Sequence, residues 1–336
     1  MTPTRALAVV AALLLCAPAA AASAQPPAVL PLPPDWYPES VAVGPDGAFY
    51  VGSWRQGAVA RIRPGDARPE VLVPPGSNGL ANGQGVLVDA RAGLLWVCSG
   101  SMGFTTVPVT PSALKAYDLA TGAPRGSWPM PDRGYCNDLA QDGRGTLYVT
   151  DSLHPRLLRL PPGGKTLEIW KEDPALGGGD ASQVLGGTAY YLNGIAVTAD
   201  GLYVSAVAAQ PWILHVGIGP DGAAGAVTLI PAPRLLKNVD AIRADGPGRL
   251  VLFESNAFGQ DGPYGGAVTL ARIADGRIAE LQTIVGGLND ASSGVVADGR
   301  VWFIESKYGL LTAHACDDAA VPRGVPFDLQ SRELPR

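Results

Sequence analysis

The sequence predicts an all-β fold, a six-bladed β-propeller with four-stranded blades, on three grounds. A hairpin pattern recurs six times at intervals of about 45 to 55 residues, the period of a propeller blade. Gly and Pro are dense, 43 and 31 of 336 residues, which favours many short strands over long helices. Each hairpin is also followed by further short apolar runs, so a repeat can supply four strands, and radial packing of such sheets leaves only short, protected edges.

The pattern is plainest at Tyr190 to Ala206, YYLNGIAVTADGLYVSA: an alternating run from Gly194 to Val197, a turn at Asp200-Gly201, and a second run from Leu202 to Val204. The other copies are ESVAVGPDGAFYVGS (39–53), QGVLVDARAGLLWVCS (84–99), NDLAQDGRGTLYVTDS (137–152), DAIRADGPGRLVLFES (240–255) and SSGVVADGRVWFIES (292–306). Outer strands are predicted at Ala58 to Ile62 and Val71 to Val73, at Arg156 to Leu160 and Leu167 to Trp170, and at Ile213 to Val216 and Val227 to Ile230. The Pro-rich stretch from Gln25 to Asp35 suits an extended or edge strand and excludes a helix. The ring must be closed by Val29 to Leu32 or by Val325 to Leu329, and the pattern does not choose between them.

Residues 1–24 read as an export signal: Arg5, an apolar run from Ala6 to Leu15, and a small-residue end at Ala22-Ser23-Ala24. Cleavage near Ala24 leaves a single domain, residues 25–336, that is periplasmic or secreted and has no membrane span. Cys16 follows three leucines, whereas a lipid-modified cysteine follows a small residue, so no lipid anchor is expected. Loss of Arg5 takes the formal charge from −5 to −6, which argues against a nucleic-acid partner. Cys98, Cys136 and Cys316 remain, an odd number that permits at most one internal disulfide; each also reads as a small buried apolar side chain. A monomer is expected.

In a blade, the first strand lines the channel and the second returns antiparallel to it. The residues that begin the first strands, Glu39, Gln84, Asn137, Asn193, Asp240 and Ser292 or Ser293, therefore ring one mouth of the channel. The longest insertions, 100–112, 171–190 and 256–266, gather at that same end, where a rigid scaffold carries a binding site. A lone Asp or Asn at a strand start is ordinarily a turn residue. Oxygen donors at four blades, two of them carboxylates that would repel one another at a narrow mouth, point instead to a hard cation such as Ca²⁺.

Glu39 at the first blade, Cys-Asn-Asp-Leu (136–139) at the third, Leu-Asn-Gly-Ile (192–195) at the fourth and Val-Asp-Ala-Ile (239–242) at the fifth resemble the gluconolactonase, senescence-marker-protein and luciferin-regenerating-enzyme family. More distantly the chain is similar to paraoxonases and diisopropylfluorophosphatase. The resemblance spans about residues 36–315. It implies a catalytic Ca²⁺, or another divalent ion such as Zn²⁺, Mn²⁺ or Mg²⁺, held by Glu39, Asn137, Asn193 and Asp240. Asp138 matches a residue that in paraoxonases helps to bind a second, structural calcium, and no partners for it can be named from the sequence. The functional His of those two more distant families has no counterpart at a blade start. His154 (DSLHPR) is placed to face the rim, whereas His215, in an apolar strand, and His314, near the C-terminus, read as structural.

The expected activity is metal-dependent hydrolysis of a small lactone or ester, the ion polarising the carbonyl. Asp240 is the first candidate for the base that activates water, followed by His154 and Asp138. No Gly-x-Ser-x-Gly elbow supports a serine hydrolase. Phe104, Phe258, Tyr264 and Tyr190 are candidates to shape the substrate pocket. Two further readings stand beside this one: a non-catalytic envelope propeller that binds a ligand or protein through its rim, and a strictosidine-synthase-like condensing enzyme, which the full set of ligand matches disfavours.

Overall fold

Alternating apolar and polar residues over five or six positions give each run two usable faces, and short turns make consecutive runs pair as antiparallel neighbours. The result, in a computed structural model that describes residues 29–177, 183–185, 188–207, 212–256, 262–315 and 317–335 together with Met1, is six four-stranded antiparallel sheets arranged as the blades of a propeller. The expected export signal, Cys16, Phe258 and Cys316 lie outside the described residues. The inner strands are Pro38–Val43, Val86–Asp89, Cys136–Gln141, Leu192–Thr198, Val239–Ala244 and Gly294–Ala297. Each pairs with the next strand of the chain, from Phe49–Ser53 in the first blade to Arg300–Ile304 in the sixth. At the sixth hairpin Asp298 (φ 52°) and Gly299 (φ 70°) both take the left-handed conformation that a two-residue turn between twisted strands demands.

Both ends of the chain close the ring, though of the second candidate, Val325 to Leu329, only Asp328 and Leu329 fall within the strand. Asp328–Glu333 pairs with Arg300–Ile304, and Val29–Pro31 then pairs with Asp328–Glu333 as the outermost strand of the sixth blade, with Leu30 opposite Leu329. The two ends of the chain are thereby locked into one sheet. Beyond strands there are 3₁₀ turns and one four-residue helix, Gly309–Thr312, so no helical layer is present among the described residues. None of the described helices is long and apolar enough to cross a membrane.

The core is divided as the architecture requires, into six apolar clusters each sandwiched between consecutive blades. Val41, Phe49, Trp302 and Leu329 join the sixth blade to the first, and Leu139, Val149, Trp96 and Leu114 join the second to the third. The other four junctions are built likewise. The second and third blades are also cross-linked by a Cys98–Cys136 disulfide, Cα atoms 5.1 Å apart across a separation of 38 residues. Such a loop restricts the unfolded chain by roughly 4 kcal/mol on chain-entropy grounds.

The closing strand supplies a test. Leu30 is 8% exposed and Val29 is 53% exposed on neighbouring positions of one strand. Leu30→Asp puts a charge into the first-blade junction and is expected to destabilise the protein by at least about 3 kcal/mol, whereas Val29→Asp stays within about 0.5 kcal/mol of wild type. Urea denaturation of both variants checks this; equal effects would mean that the N-terminal strand does not seal the ring.

Candidate metal centre

The mouth of the channel is built from irregularities in four inner strands. Pairing with the second strand slips between Pro38 and Val41, Cys136 and Leu139, Leu192 and Ile195, and Val239 and Ala241. Each slip is a bulge, leaving an extra residue on the inner strand and re-aiming side chains that would otherwise alternate. Glu39, Asn137, Asn193 and Asp240 sit within these four bulges, and all are more than nine-tenths buried. Neighbouring inner strands touch there: a Cβ on Gly85 would lie 2.7 Å from the Asp138 Cα, and one on Gly194 would lie 2.6 Å from the Asp240 carbonyl oxygen. Only glycine permits that approach.

Packing this tight brings like charges together. Burial raises the Glu39 carboxyl well above the usual range, and Asp240 and Asp138 add to the shift. Burial likewise pushes Asp240 up to about 7; hydrogen bonds from Ser255 and Asn193 oppose the rise, while Asp290 and Asp138 reinforce it. The structure thus brings Asn193 against Asp240, and Asp240 within the field of Glu39. Since the amide of Asn193 serves Asp240, its carbonyl oxygen Oδ1 is left buried without a hydrogen-bond partner. Asn137, on the third bulge, accepts the Gly85 N–H through its main-chain oxygen at 2.7 Å.

A second layer holds these groups. With the Gln84 amide oriented so that its nitrogen faces Glu39, it donates to Glu39 Oε1 at 3.1 Å, and its oxygen accepts from Trp54 Nε1 at 2.6 Å, Asn82 Nδ2 at 3.1 Å and the Tyr135 hydroxyl at 2.5 Å. Gln84 therefore orients the Glu39 carboxyl. Ser292 Oγ donates to the Glu39 main-chain oxygen at 3.1 Å, Ser306 Oγ to that of Pro38 at 2.5 Å, Ser152 Oγ to that of Leu192 at 2.7 Å, and Thr150 Oγ1 to that of Asn193 at 2.7 Å. Hydroxyls at or near the strand ends of the sixth and third blades thus tie the first- and fourth-blade bulges to their neighbours.

Asp138 and His154 are not in the ring. Asp138 Oδ2 faces Arg243 Nη1 at 2.8 Å and accepts the Ile195 N–H at 3.3 Å, while Arg243 Nη2 reaches Ser293 Oγ at 3.1 Å. The partner of Asp138 is a guanidinium, so neither a second calcium beside it nor a role as base has support in this geometry. Arg243 also lines a cavity of about 250 Å³ between the inner strands, together with Val41, Val88, Leu139, Val197 and Val295. His154 Nδ1 lies 3.1 Å from Asp151 Oδ2, which also accepts from Arg156 Nε at 2.9 Å. His154 is thus held in a separate ionic cluster with Asp151, Arg156 and Asp132. His215 packs on Tyr203, ring centroids 4.8 Å apart, and bonds the Asp200 carbonyl oxygen at the far end of the fourth hairpin, in keeping with a structural part.

The rim insertions contribute unequally. In the first, Arg55 Nη1 donates to the Phe104 carbonyl at 3.1 Å and seats Phe104 on Trp54, ring centroids 5.3 Å apart; Tyr308 meets the same indole edge-on at 4.9 Å. The second carries a small hairpin of Gln183–Leu185 and Thr188–Tyr190, with Tyr190 half-buried and electrostatically coupled to Tyr135. Tyr264, 65% exposed, faces solvent.

Asp290, Tyr308, Tyr135 and Arg243 were not singled out from the sequence. Asp290 is raised to about 6 by burial despite the Tyr308 and Gly309 N–H groups it accepts, and the half-buried Tyr308 is raised by desolvation and by Asp240 and Glu39. Arg243 carried a readable signal: it is the one cation in an inner strand, VDAIRA, that beyond Asp240 is otherwise apolar.

The donor set fits a hard divalent cation. Two buried carboxylates with no ion pair of their own among the described residues, Arg243 acting on Glu39 only through its field, a partnerless amide oxygen and a further amide are oxygen donors of the kind Ca²⁺ takes. Among the described residues no group of three or more His, Cys, Asp or Glu side chains is placed to hold a metal; the candidate set at the mouth is two carboxylates and two amides.

No protein-family profile matches the chain, and no curated protein does. Among solved structures it is similar to a gluconolactonase from Xanthomonas campestris (18% identity, 92% of this chain and 87% of that one, TM-score 0.56). It is also similar to a luciferin-regenerating enzyme (12%, 90% and 95%, TM-score 0.60) and to a PQQ-bound aldose sugar dehydrogenase from Streptomyces coelicolor (14%, 91% and 98%, TM-score 0.56). At these identities the likeness establishes a shared propeller fold, and with it the fold of the gluconolactonase and luciferin-regenerating-enzyme group that the blade motifs resemble.

Proposed function

We propose that this chain is an exported, divalent-metal-dependent hydrolase of small lactones or esters, with its ion at the channel mouth on Glu39, Asn137, Asn193 and Asp240. The observation that carries the reading is the buried pair Glu39 and Asp240 beside the partnerless Asn193 Oδ1. Such a cluster is unfavourable by itself and becomes favourable once a cation shares its oxygens. Calcium is the first choice of ion, with Mn²⁺, Mg²⁺ or Zn²⁺ as alternatives. The bound ion would supply Lewis-acid polarisation of the substrate carbonyl and charge stabilisation as the carbonyl oxygen becomes anionic.

The remaining work falls to the chain's own residues. Asp240, fixed by Ser255 and Asn193, takes the proton of the attacking water on its carboxylate. Gln84, braced by Trp54, Asn82 and Tyr135, keeps Glu39 turned toward the ring. Trp54, Phe104 and Tyr308 form an aromatic wall at the mouth against which the apolar part of a lactone or ester packs. The likeness to a gluconolactonase supports this choice of substrate class, and the likeness to a sugar dehydrogenase of the same fold shows why the site, rather than the fold, must carry it.

Acid release from a sugar lactone, an aliphatic lactone and phenyl acetate, followed across a calcium titration, is the test. Activity is expected to vanish with chelator and return with Ca²⁺. Asp240→Ala should lose at least about 10²-fold in rate, and Asn193→Ala should weaken ion binding with a smaller loss at saturating ion. Activity untouched by chelation, or full turnover in Asp240→Ala, would overturn the hydrolase reading in favour of a binding propeller.

A second outcome depends on backbone proximity alone. Gly194→Ala must push the Asp240 main chain away and is expected to cost about 1–3 kcal/mol of stability and to lower ion affinity. Gly143→Ala, where a Cβ meets nothing within 4 Å, should leave ion affinity unchanged. Calorimetric titration with Ca²⁺ separates the two; equal affinities would show that the strand contact does not place Asp240.

A further inference from the structure

The Cys98–Cys136 disulfide stands at the edge of the proposed ion site. Cys136 begins the inner strand of the third blade and is directly followed by Asn137; it is also the residue at which the bulge carrying Asn137 begins. Cys98 lies on the second strand of the second blade, where its carbonyl oxygen accepts the Gln84 N–H at 3.0 Å and its own N–H donates to Gly85 at 2.8 Å. Gly85 in turn donates to the Asn137 carbonyl at 2.7 Å. One covalent bond therefore closes a circuit of Cys98, Gln84-Gly85, Asn137 and Cys136. At its corners are a proposed ligand, Asn137, and the residue that orients another, Gln84 against Glu39. Both sulfur-bearing residues are fully buried, and the Cys136 N–H is held by Ser112 Oγ at 2.8 Å.

We infer that this disulfide is a positioning element of the ion site, so that ion affinity at the mouth depends on the redox state of Cys98 and Cys136. The inference rests on the proposed ion site. A bulge has an unpaired residue and is the least constrained part of a strand ladder. Anchoring its first residue to the neighbouring blade fixes where the next side chain points. Reduction by a dithiol adds two electrons and two protons to the pair: the S–S bond breaks, two thiols form, and the dithiol is oxidised to its own disulfide. Five of the six apolar junctions do not include these cysteines and the remaining one holds them among ten other buried residues, so the reduced chain keeps its propeller while Asn137 and Gln84 lose their tether.

Two measurements test the inference. In the first, Ca²⁺ affinity is measured by calorimetry for oxidised wild type and for the Cys98→Ala, Cys136→Ala double variant, with circular dichroism as the check on folding. The variant is expected to bind about 10- to 100-fold more weakly, the range for losing a group that orients a ligand. In the second, which needs wild type alone, the disulfide is equilibrated with reduced and oxidised glutathione with and without saturating Ca²⁺. Coupling is reciprocal, so Ca²⁺ should shift that equilibrium toward the disulfide by the same factor. Equal affinities in a folded variant, or a glutathione equilibrium indifferent to Ca²⁺, would overturn the inference and leave the ion site standing. Oxidised wild type that binds no Ca²⁺, Mn²⁺, Mg²⁺ or Zn²⁺ would overturn the ion site, and the inference with it.

Discussion

Six inner strands converging on one narrow channel pass so close that a single methyl group at Gly85 or Gly194 would collide with the next blade. Everything at the mouth follows from that convergence. Side chains carried there are stripped of water whatever their chemistry, and polar ones must satisfy each other or a ligand. Most do: Gln84 serves Glu39, Arg243 serves Asp138, and the serines and Thr150 serve the main chain of adjoining strands. Glu39, Asp240 and the oxygen of Asn193 remain short of partners, and that residue of unmet demand is what defines the site.

The ring can impose this geometry only because it is shut. Val29–Pro31 and Asp328–Glu333, from opposite ends of the chain, lie side by side in the sixth blade. A strain applied anywhere in the circle is then shared by six apolar junctions rather than relieved at a free edge. The disulfide acts on a smaller scale in the same sense, tying the second blade to the third immediately beside Asn137. Outside the channel, the insertion pinned by Arg55 sets Phe104 against Trp54, which Tyr308 of the sixth blade also meets, and the three make an aromatic surface.

Local signals in the sequence were the ones that could be read. Each hairpin declares itself by alternation and a glycine turn, so the six inner strands begin where the repeat places them, within the short bulged or looped segments that open each blade. Glu39, Asn137, Asn193 and Asp240 occupy one repeated position together with Gln84 and Ser292 or Ser293, and it is the family resemblance that picks those four as candidate ligands. Ring closure was not, since Val29–Pro31 finds its partner about 300 residues away and no short-range pattern encodes such a pairing. A separation of 105 residues hid Arg243 from Asp138, and the odd number of cysteines hid the pairing of Cys98 with Cys136. A recurring serine or threonine near the end of the second strand, visible in all six hairpins, was the unread clue to the stitching of the mouth.

The central claim is that the unmet demand of the mouth is met by a cation. A crystal grown with Ca²⁺, or with Mn²⁺ for its anomalous signal, addresses it directly. The account predicts one strong site on the channel axis, with side-chain oxygens of Glu39, Asn137, Asn193 and Asp240 at about 2.3 to 2.6 Å from Ca²⁺. A mouth filled by water alone at saturating ion, or an ion bound only at the Asp151, Arg156 and His154 cluster, would contradict it.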